Sequence, residues 1–318
     1  MRIRYPRQTA VLAAVGTALL LTACGSTPST ATTGGSAAAT PVTVTIAGAG
    51  TVTTDPALAA RVPADARAKG SITVATNAPY APFIDFKTKG DQSHFVGLDY
   101  DLFTAAAARL GLRATFQQQP FDGLVPGLQA GKYDAIAGGV TDKREREQVA
   151  TFVDYTASGT GFLVTAGNPK QVSTVANLCG LRVGAQKASN QVDNLTAYSK
   201  ASCPGQPIVI SQYPANTDAV QALLAGQVDV VAATRVNLTD VVTQLSGKVA
   251  LADDPAAPNG WLASPNGFGF LKSRGELATA FQAALQSLIS DGTYRKILDQ
   301  WKQAPIGLAT ITVNQPIN

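Results

Sequence analysis

Residues 141–147, Thr-Asp-Lys-Arg-Glu-Arg-Glu, set Lys143, Arg144 and Arg146 among Asp142, Glu145 and Glu147. A guanidinium is a planar fork that grips a carboxylate through two parallel hydrogen bonds, but interleaved charges also make an ordinary solvated helix face. The spacing separates the two arginines. Two helical residues turn about 200°, so Arg144 and Arg146 point in nearly opposite directions and only one of them can enter a cleft. Arg146 shares its side with apolar Val149, whereas Arg144 stacks over polar Gln148. That favours carboxylate capture by Arg146, helped by Gly139 and Thr141 at the helix start, over a surface Asp142–Arg146 pair one turn apart.

Other reactive chemistry is thin. The sequence holds no G-x-S-x-G, no H-E-x-x-H and no phosphate loop, which leaves an enzyme without its usual motifs. His94 is the only histidine, and no carboxylate cluster accompanies the cysteines, so neither a metal nor a cofactor is implied. Charged residues make up 14% of the chain, with a formal charge of +4 that drops by three if Arg2, Arg4 and Arg7 are removed. Such a balance gives no electrostatic reason for a nucleic-acid partner.

The first residues read as an export signal. "MRIRYPR" is a basic stretch, and Ala10 to Ala23 form an apolar run too short for the roughly 20 residues of a membrane-spanning helix. The run ends in "LTAC", Leu21 to Cys24, a pattern that resembles the lipobox of bacterial lipoproteins. It implies a signal peptide over 1–23, lipidation of Cys24 and anchoring to the outer face of the cell membrane. Residues 24–41 are then a Gly/Ser/Thr/Ala/Pro tether, and 42–70 a lead-in with a short helix broken at Pro63. In an exported chain the remaining pair, Cys179 and Cys203, is expected to form a disulfide.

From Ser71 onward strand and helix patterns alternate. "SITVAT", "LRATFQQ" and "YDAIAGG" are β-rich and enclose "GLDYDLFTAAAARLG" and "FDGLVPGLQAG", each a helix closed by glycine. "GLRVGAQ", "PIVISQY" and "VDVVAAT" repeat the scheme around "NQVDNLTAYSK" and "NTDAVQALLAG", and two closing helices follow. Alternation of this kind specifies α/β units on mainly parallel sheets, with ligands beyond the carboxyl ends of the strands.

Read in order, "ATNAPYAPF", "GLDYDLFTAAAARLG", "FDGLVPGLQAGKYDAI", "FVDY", "CGLRVGAQKAS", "ALLAGQVDVV" and "DGTYRKIL" resemble the bacterial extracellular solute-binding proteins of family 3. These are the binding lipoproteins of polar amino-acid ABC transporters, and the likeness covers about Ser71 to Trp301. It implies a type II periplasmic-binding-protein-like fold: two α/β lobes joined by a two-stranded hinge. Lobe 1 would hold 71–157 plus 267–302 and lobe 2 would hold 163–253, with crossovers near "ASGTGF" and "WLASPNG" and a tail over 303–318. The expected partners are a small carboxylated solute and a membrane ABC permease, with the protein itself a monomer.

The resemblance also assigns residues. The family's Thr-x-x-Arg falls literally on Thr141 and Arg144, but counting back from Phe-x-Asp-Tyr at Phe152 favours Arg146 without a gap. Tyr80 and Phe121 match the aromatic pair that sandwiches the ligand side chain, and Phe83 reads as core. Asn77 sits where side-chain recognition is tuned and offers no counter-ion to a cation. Ser189, Asn190 and Gln191 open the second lobe's helix, where a hydroxyl can cap it or donate to a carboxylate. Thr234 departs from the pattern: it stands where the family has an aspartate for the α-ammonium. Asp218 and Asp240 are the acids that could substitute.

Three functions fit this sequence: a binding protein feeding a permease, a sensing lipoprotein addressing a membrane receptor, and an enzyme of the cyclohexadienyl dehydratase type. The last needs an acid in the cleft, and Asn77, Thr141, Asn190 and Thr234 are all neutral. The anchor can be tested alone. Replacing Cys24 with serine is expected to release the protein to the soluble fraction with ligand binding intact, and intact-mass analysis showing an unmodified wild-type Cys24 would refute lipidation.

Overall fold

A computed structural model describes residues 41–252 and 254–316. The expected signal peptide, Cys24 and the expected tether up to residue 40 lie outside the described residues. Within them, no helix is long and apolar enough to cross a membrane.

The lead-in is more structured than its composition implied. A hairpin of β1 (Thr43–Ile46) and β2 (Gly50–Thr53) precedes α1 (Pro56–Ala59) and α2 (Ala64–Lys69). Asp55 caps α1 by accepting from the amides of Ala57 and Leu58, and Pro63 sits at the N-cap of α2. Val42, Ile46, Val52, Leu58 and Val62 bury their side chains in the same core as the first lobe.

That lobe contains β3 (Ser71–Thr76), the hairpin β4 (Asp85–Thr88) and β5 (Asp91–Val96), α3 (Leu98–Arg109), β6 (Arg113–Gln118), α4 (Phe121–Gln129), β7 (Ala135–Ile136) and α5 (Arg144–Glu147). A sixteen-residue strand, β8 (Ala150–Thr165), leads out of it. The second lobe follows as β9 (Arg182–Gln186), α6 (Asn190–Ser202), β10 (Val209–Tyr213), α7 (Asn216–Leu224), β11 (Val230–Thr234), α8 (Arg235–Gln244) and β12 (Val249–Leu251). The long strand β13 (Trp261–Leu271) returns the chain to the first lobe, where α9 (Gly275–Ser290), α10 (Thr293–Gln300) and β14 (Gly307–Val313) complete it.

The main sheet runs β10-β9-β11-β8-β13-β7-β3-β6. Its two ends are parallel, β10-β9-β11 in one lobe and β7-β3-β6 in the other. Antiparallel β8 and β13 join them. The crossing needs glycine: a Cβ on Gly159 would stand 2.3 Å from the carbonyl oxygen of Gly260, so the two backbones approach too closely for any side chain. Lobe 2 carries its own apolar clusters around Val183, Leu195, Leu223 and Val231, and a disulfide joins Cys179 before β9 to Cys203 after α6.

Two segments differ from the sequence expectation. Residues 307–313, read as tail, form β14 against Val153, Asp154 and Thr156 of β8, because Ile306 and Ile311 bury their side chains and Thr312 hydrogen-bonds Asp154. Residues 235–244, assigned to no element from the sequence, form α8. Its helical stripe is weak, and only Val236, Asn237 and Leu238 are buried.

Candidate functional site

The lobes meet around Tyr80, Arg146 and Thr234. Tyr80 Oη donates to Thr234 Oγ1 at 2.9 Å and accepts from the Thr234 amide at 3.2 Å, so the two lobes are in direct contact here. Arg146 is 7% exposed, whereas Arg144 is exposed to solvent. The buried guanidinium donates to the Thr141 carbonyl at 2.7 Å and, across the lobes, to the Ala188 carbonyl at 3.0 Å. Its face lies 5.4 Å from the Phe121 ring centroid, within cation–π range. Burial lowers its pKa to about 10 against the pull of Asp193, Asp142 and Glu145, which still leaves it fully charged at neutral pH. A cavity of about 270 Å³ opens beside it, bordered by Phe121, Leu124, Val125, Val140 and Lys143.

A turn at Gly138 and Gly139 delivers the chain to this point. Both residues have positive φ, 124° and 66°, and both amides donate to Asp99 Oδ2, at 2.7 and 2.8 Å. Tyr155 Oη donates to the same oxygen at 2.6 Å. Burial raises the Asp99 carboxyl to about 6, and these three donors hold it back from going higher. The amide of Gly139 is thereby committed to Asp99, and its carbonyl accepts from Asn266 Nδ2 at 3.2 Å. Gly139 therefore shapes the site rather than donating to an anion, which corrects the expectation that it would help as a donor.

Asn77 is packed tightly against this turn. A Cβ on Gly138 would meet Asn77 Oδ1 at 2.1 Å. Asn77 is 5% exposed, and neither its oxygen nor its nitrogen has a hydrogen-bond partner. An unpaired buried amide costs free energy. Thr141 is buried and forms a bridge to Asn266 of β13. In lobe 2, Ser189 accepts from the Val192 amide at 3.4 Å as the cap of α6, and Asn190 and Gln191 are buried in its first turn. Phe83 is fully buried in the core, stacked on Tyr80.

Sequence reasoning missed several groups here. Lys143 pairs with Asp193, and Lys187 pairs with Asp122 at 2.8 Å, so each lobe gives one cation and one anion to the other. Asn237 Nδ2 donates to the Ala81 carbonyl at 2.7 Å. Asp218 is exposed and caps α7 through the Ala215 amide, so it is spent on the helix, whereas Asp240 borders the lobe interface. Asp142 is fully buried with neither carboxylate oxygen paired, and with Arg146 also buried the surface-pair alternative does not hold. Among the described residues no group of three or more His, Cys, Asp or Glu is placed to hold a metal ion.

A two-lobed α/β fold with an arginine buried at the lobe junction is the architecture of a solute-binding protein. Residues 72–304 match the bacterial extracellular solute-binding proteins, family 3, and the chain belongs to that family. It is 31% identical to the arginine-binding protein ArgT of Corynebacterium glutamicum over 83% of this chain and 84% of that one. The lysine/arginine/ornithine-binding periplasmic protein of Escherichia coli is 32% identical over 73% of this chain and 87% of its own. Among solved structures, an ancestral arginine-binding protein bound to arginine superposes with a TM-score of 0.65 at 29% identity, covering 73% of this chain and 98% of that one.

The buried acids near the site set a pH dependence. Asp142 is pushed up to about 8 by burial and by the charges of Asp154 and Glu147. Burial raises Asp154 to about 6, with Thr312 and Gln315 working against it. Asp99 likewise lies near 6. The folded chain thus keeps protons that the unfolded chain releases near pH 4, so the contribution of these three groups to stability is full below that pH and is lost as pH rises through about 6 and 8. The urea midpoint of ligand-free protein is expected to decline from pH 5 to pH 8 at fixed ionic strength. Asp142→Asn is expected to remove most of the decline above pH 6, and a midpoint that is flat or rising in the wild type would contradict this origin.

Proposed function

We propose that the protein is the solute-capturing component of an ABC importer, closing its two lobes over a small carboxylated solute, a polar amino acid or a related compound. The observation that carries this is Arg146: a charged guanidinium, nearly buried at the lobe junction, whose hydrogen bonds go to two carbonyls and not to a carboxylate of the chain. A ligand carboxylate between the lobes supplies the missing countercharge and contacts both sides, so binding favours the closed arrangement. Tyr80 and Phe121 flank the solute, and Thr141, Ser189, Asn190 and Gln191 line its polar end. Lipidation at Cys24 holds this monomeric domain at the outer face of the membrane, beside the permease it serves.

The neutral lining disfavours a cationic side chain on the solute, and at Thr234 either the solute lacks a free α-ammonium or another acid of the chain meets it. The relatives named for arginine, lysine and ornithine handle cations, but here Asn77 and Thr234 are both neutral, and Thr234 already satisfies Tyr80. A hydroxyl contributes about 0.5–1.5 kcal/mol to a neutral partner and leaves most of an ammonium's desolvation cost unmatched. An enzymatic role lacks an acid at these positions, and the named relatives are binding proteins.

The test begins with mass spectrometry of the solute released from denatured, freshly purified protein, followed by calorimetry with that compound. Arg146→Ala is expected to weaken binding about thirty-fold or more, the cost of stranding one partner of a desolvated pair, with Arg144→Ala near wild type. The reverse ranking would move the anchor to Arg144. Thr234→Asp is expected to raise the affinity for glutamine. Tight wild-type glutamine binding that this substitution fails to improve would show that the ammonium already has its acid.

A further inference from the structure

The lobe interface is closed differently at different places. Near Arg146 it is sealed by the complementary pairs Lys143–Asp193 and Lys187–Asp122. Where Pro79 and Ala81 face Asn216 and Asn237, it instead brings two like charges together. Asp85 of β4 and Asp240 of α8, from opposite lobes, border one cavity of about 160 Å³. The same two carboxylates border a neighbouring cavity of about 460 Å³. Burial raises both above the usual carboxylate range, and the charge of Asp85 adds to the shift of Asp240.

The smaller cavity also holds an unmatched acceptor. Asn237 spends its amide nitrogen on the Ala81 carbonyl, and its oxygen accepts from Asn216 Nδ2 at 2.7 Å. This leaves Asn216 Oδ1, in a side chain only 3% exposed, with no partner at all. Asp85 accepts from the neighbouring Phe86 amide and Asp240 from Gln244, and among the described residues neither carboxylate forms an ion pair. Two carboxylates and an orphaned amide oxygen around space for several waters, at about 30 Å³ each, call for a cation rich in N–H donors. A metal is disfavoured, because no third acidic, histidine or cysteine ligand joins them among the described residues.

We propose that this inter-lobe cavity is a second binding site, for a compact organic cation bearing a primary ammonium or a guanidinium, which bridges Asp85 and Asp240. Occupancy replaces a repulsion between the lobes with two attractions, so it favours closure. The two sites are then coupled through closure: a cation here tightens solute binding at Arg146, and the solute tightens cation binding by the same factor. The resident competitor is Lys302, which borders the larger cavity.

The test uses the whole protein freed of co-purified solute and does not depend on what Arg146 binds. Thermal unfolding is followed in methylguanidinium or methylammonium chloride, with sodium chloride at equal ionic strength as the reference. The expected result is a saturable rise of about 2–4 °C at ten times the dissociation constant, lost in Asp240→Asn and reduced in Asp85→Asn. A rise matched by sodium chloride, or one unchanged in both variants, overturns the site. A rise produced by calcium or magnesium but not by the organic cations overturns the ligand class. A response that appears only in Lys302→Met shows an internal ion pair and overturns the proposal as well.

Discussion

A guanidinium taken out of water must be matched by acceptors, and in this protein the acceptors come from both lobes. Arg146 reaches Thr141 on its own side and Ala188 on the other, so its comfort depends on closure. Much of the surrounding architecture follows from that requirement. The Gly138–Gly139 turn positions the approach to α5, and Asp99 pins the turn through two backbone amides. Tyr155 supplies the third donor to the same carboxylate, which ties the turn to β8, one of the two strands that connect the lobes. A single buried carboxylate thus links the site to the hinge strand.

Electrostatics then divide the interface. Exposed ion pairs of the Lys187–Asp122 kind are screened by water and contribute little each, so they set the register of closure more than its strength. The buried groups are of greater consequence because water cannot screen them. Asp142, Asp154 and Glu147 share a buried region beneath β14, and Asp85 and Asp240 share the interface. In both places like charges are held together by the fold, and burial lifts Asp142, Asp154, Asp85 and Asp240 above the ordinary carboxylate range. Protons relieve the first group as pH falls.

Much of this was legible in residue order. Glycine-closed helices and β-rich runs specified alternating α/β units, because a period near 3.6 and a run of buried β-branched residues report directly on what each element packs against. The two-residue offset between Arg144 and Arg146 divided exposed from buried for the same reason. The helix α8 escaped notice because its buried residues are three consecutive positions near the start rather than a stripe, and β14 because its partner strand is about 150 residues away in sequence.

What the sequence determined by itself was local and cumulative: the two lobes, the paired cysteines, the candidate arginine, the aromatic residues beside it and the departure at Thr234. These are properties of residue type, spacing and order. Tertiary structure decided which groups meet. Only the closed arrangement puts Tyr80 against Thr234 and Asp85 near Asp240, and only folding commits the Gly139 amide to Asp99 and Asp218 to a helix cap. The physical reason is that a hydrogen bond or a repulsion between residues 154 positions apart, as at Tyr80 and Thr234, leaves no periodic trace in either segment.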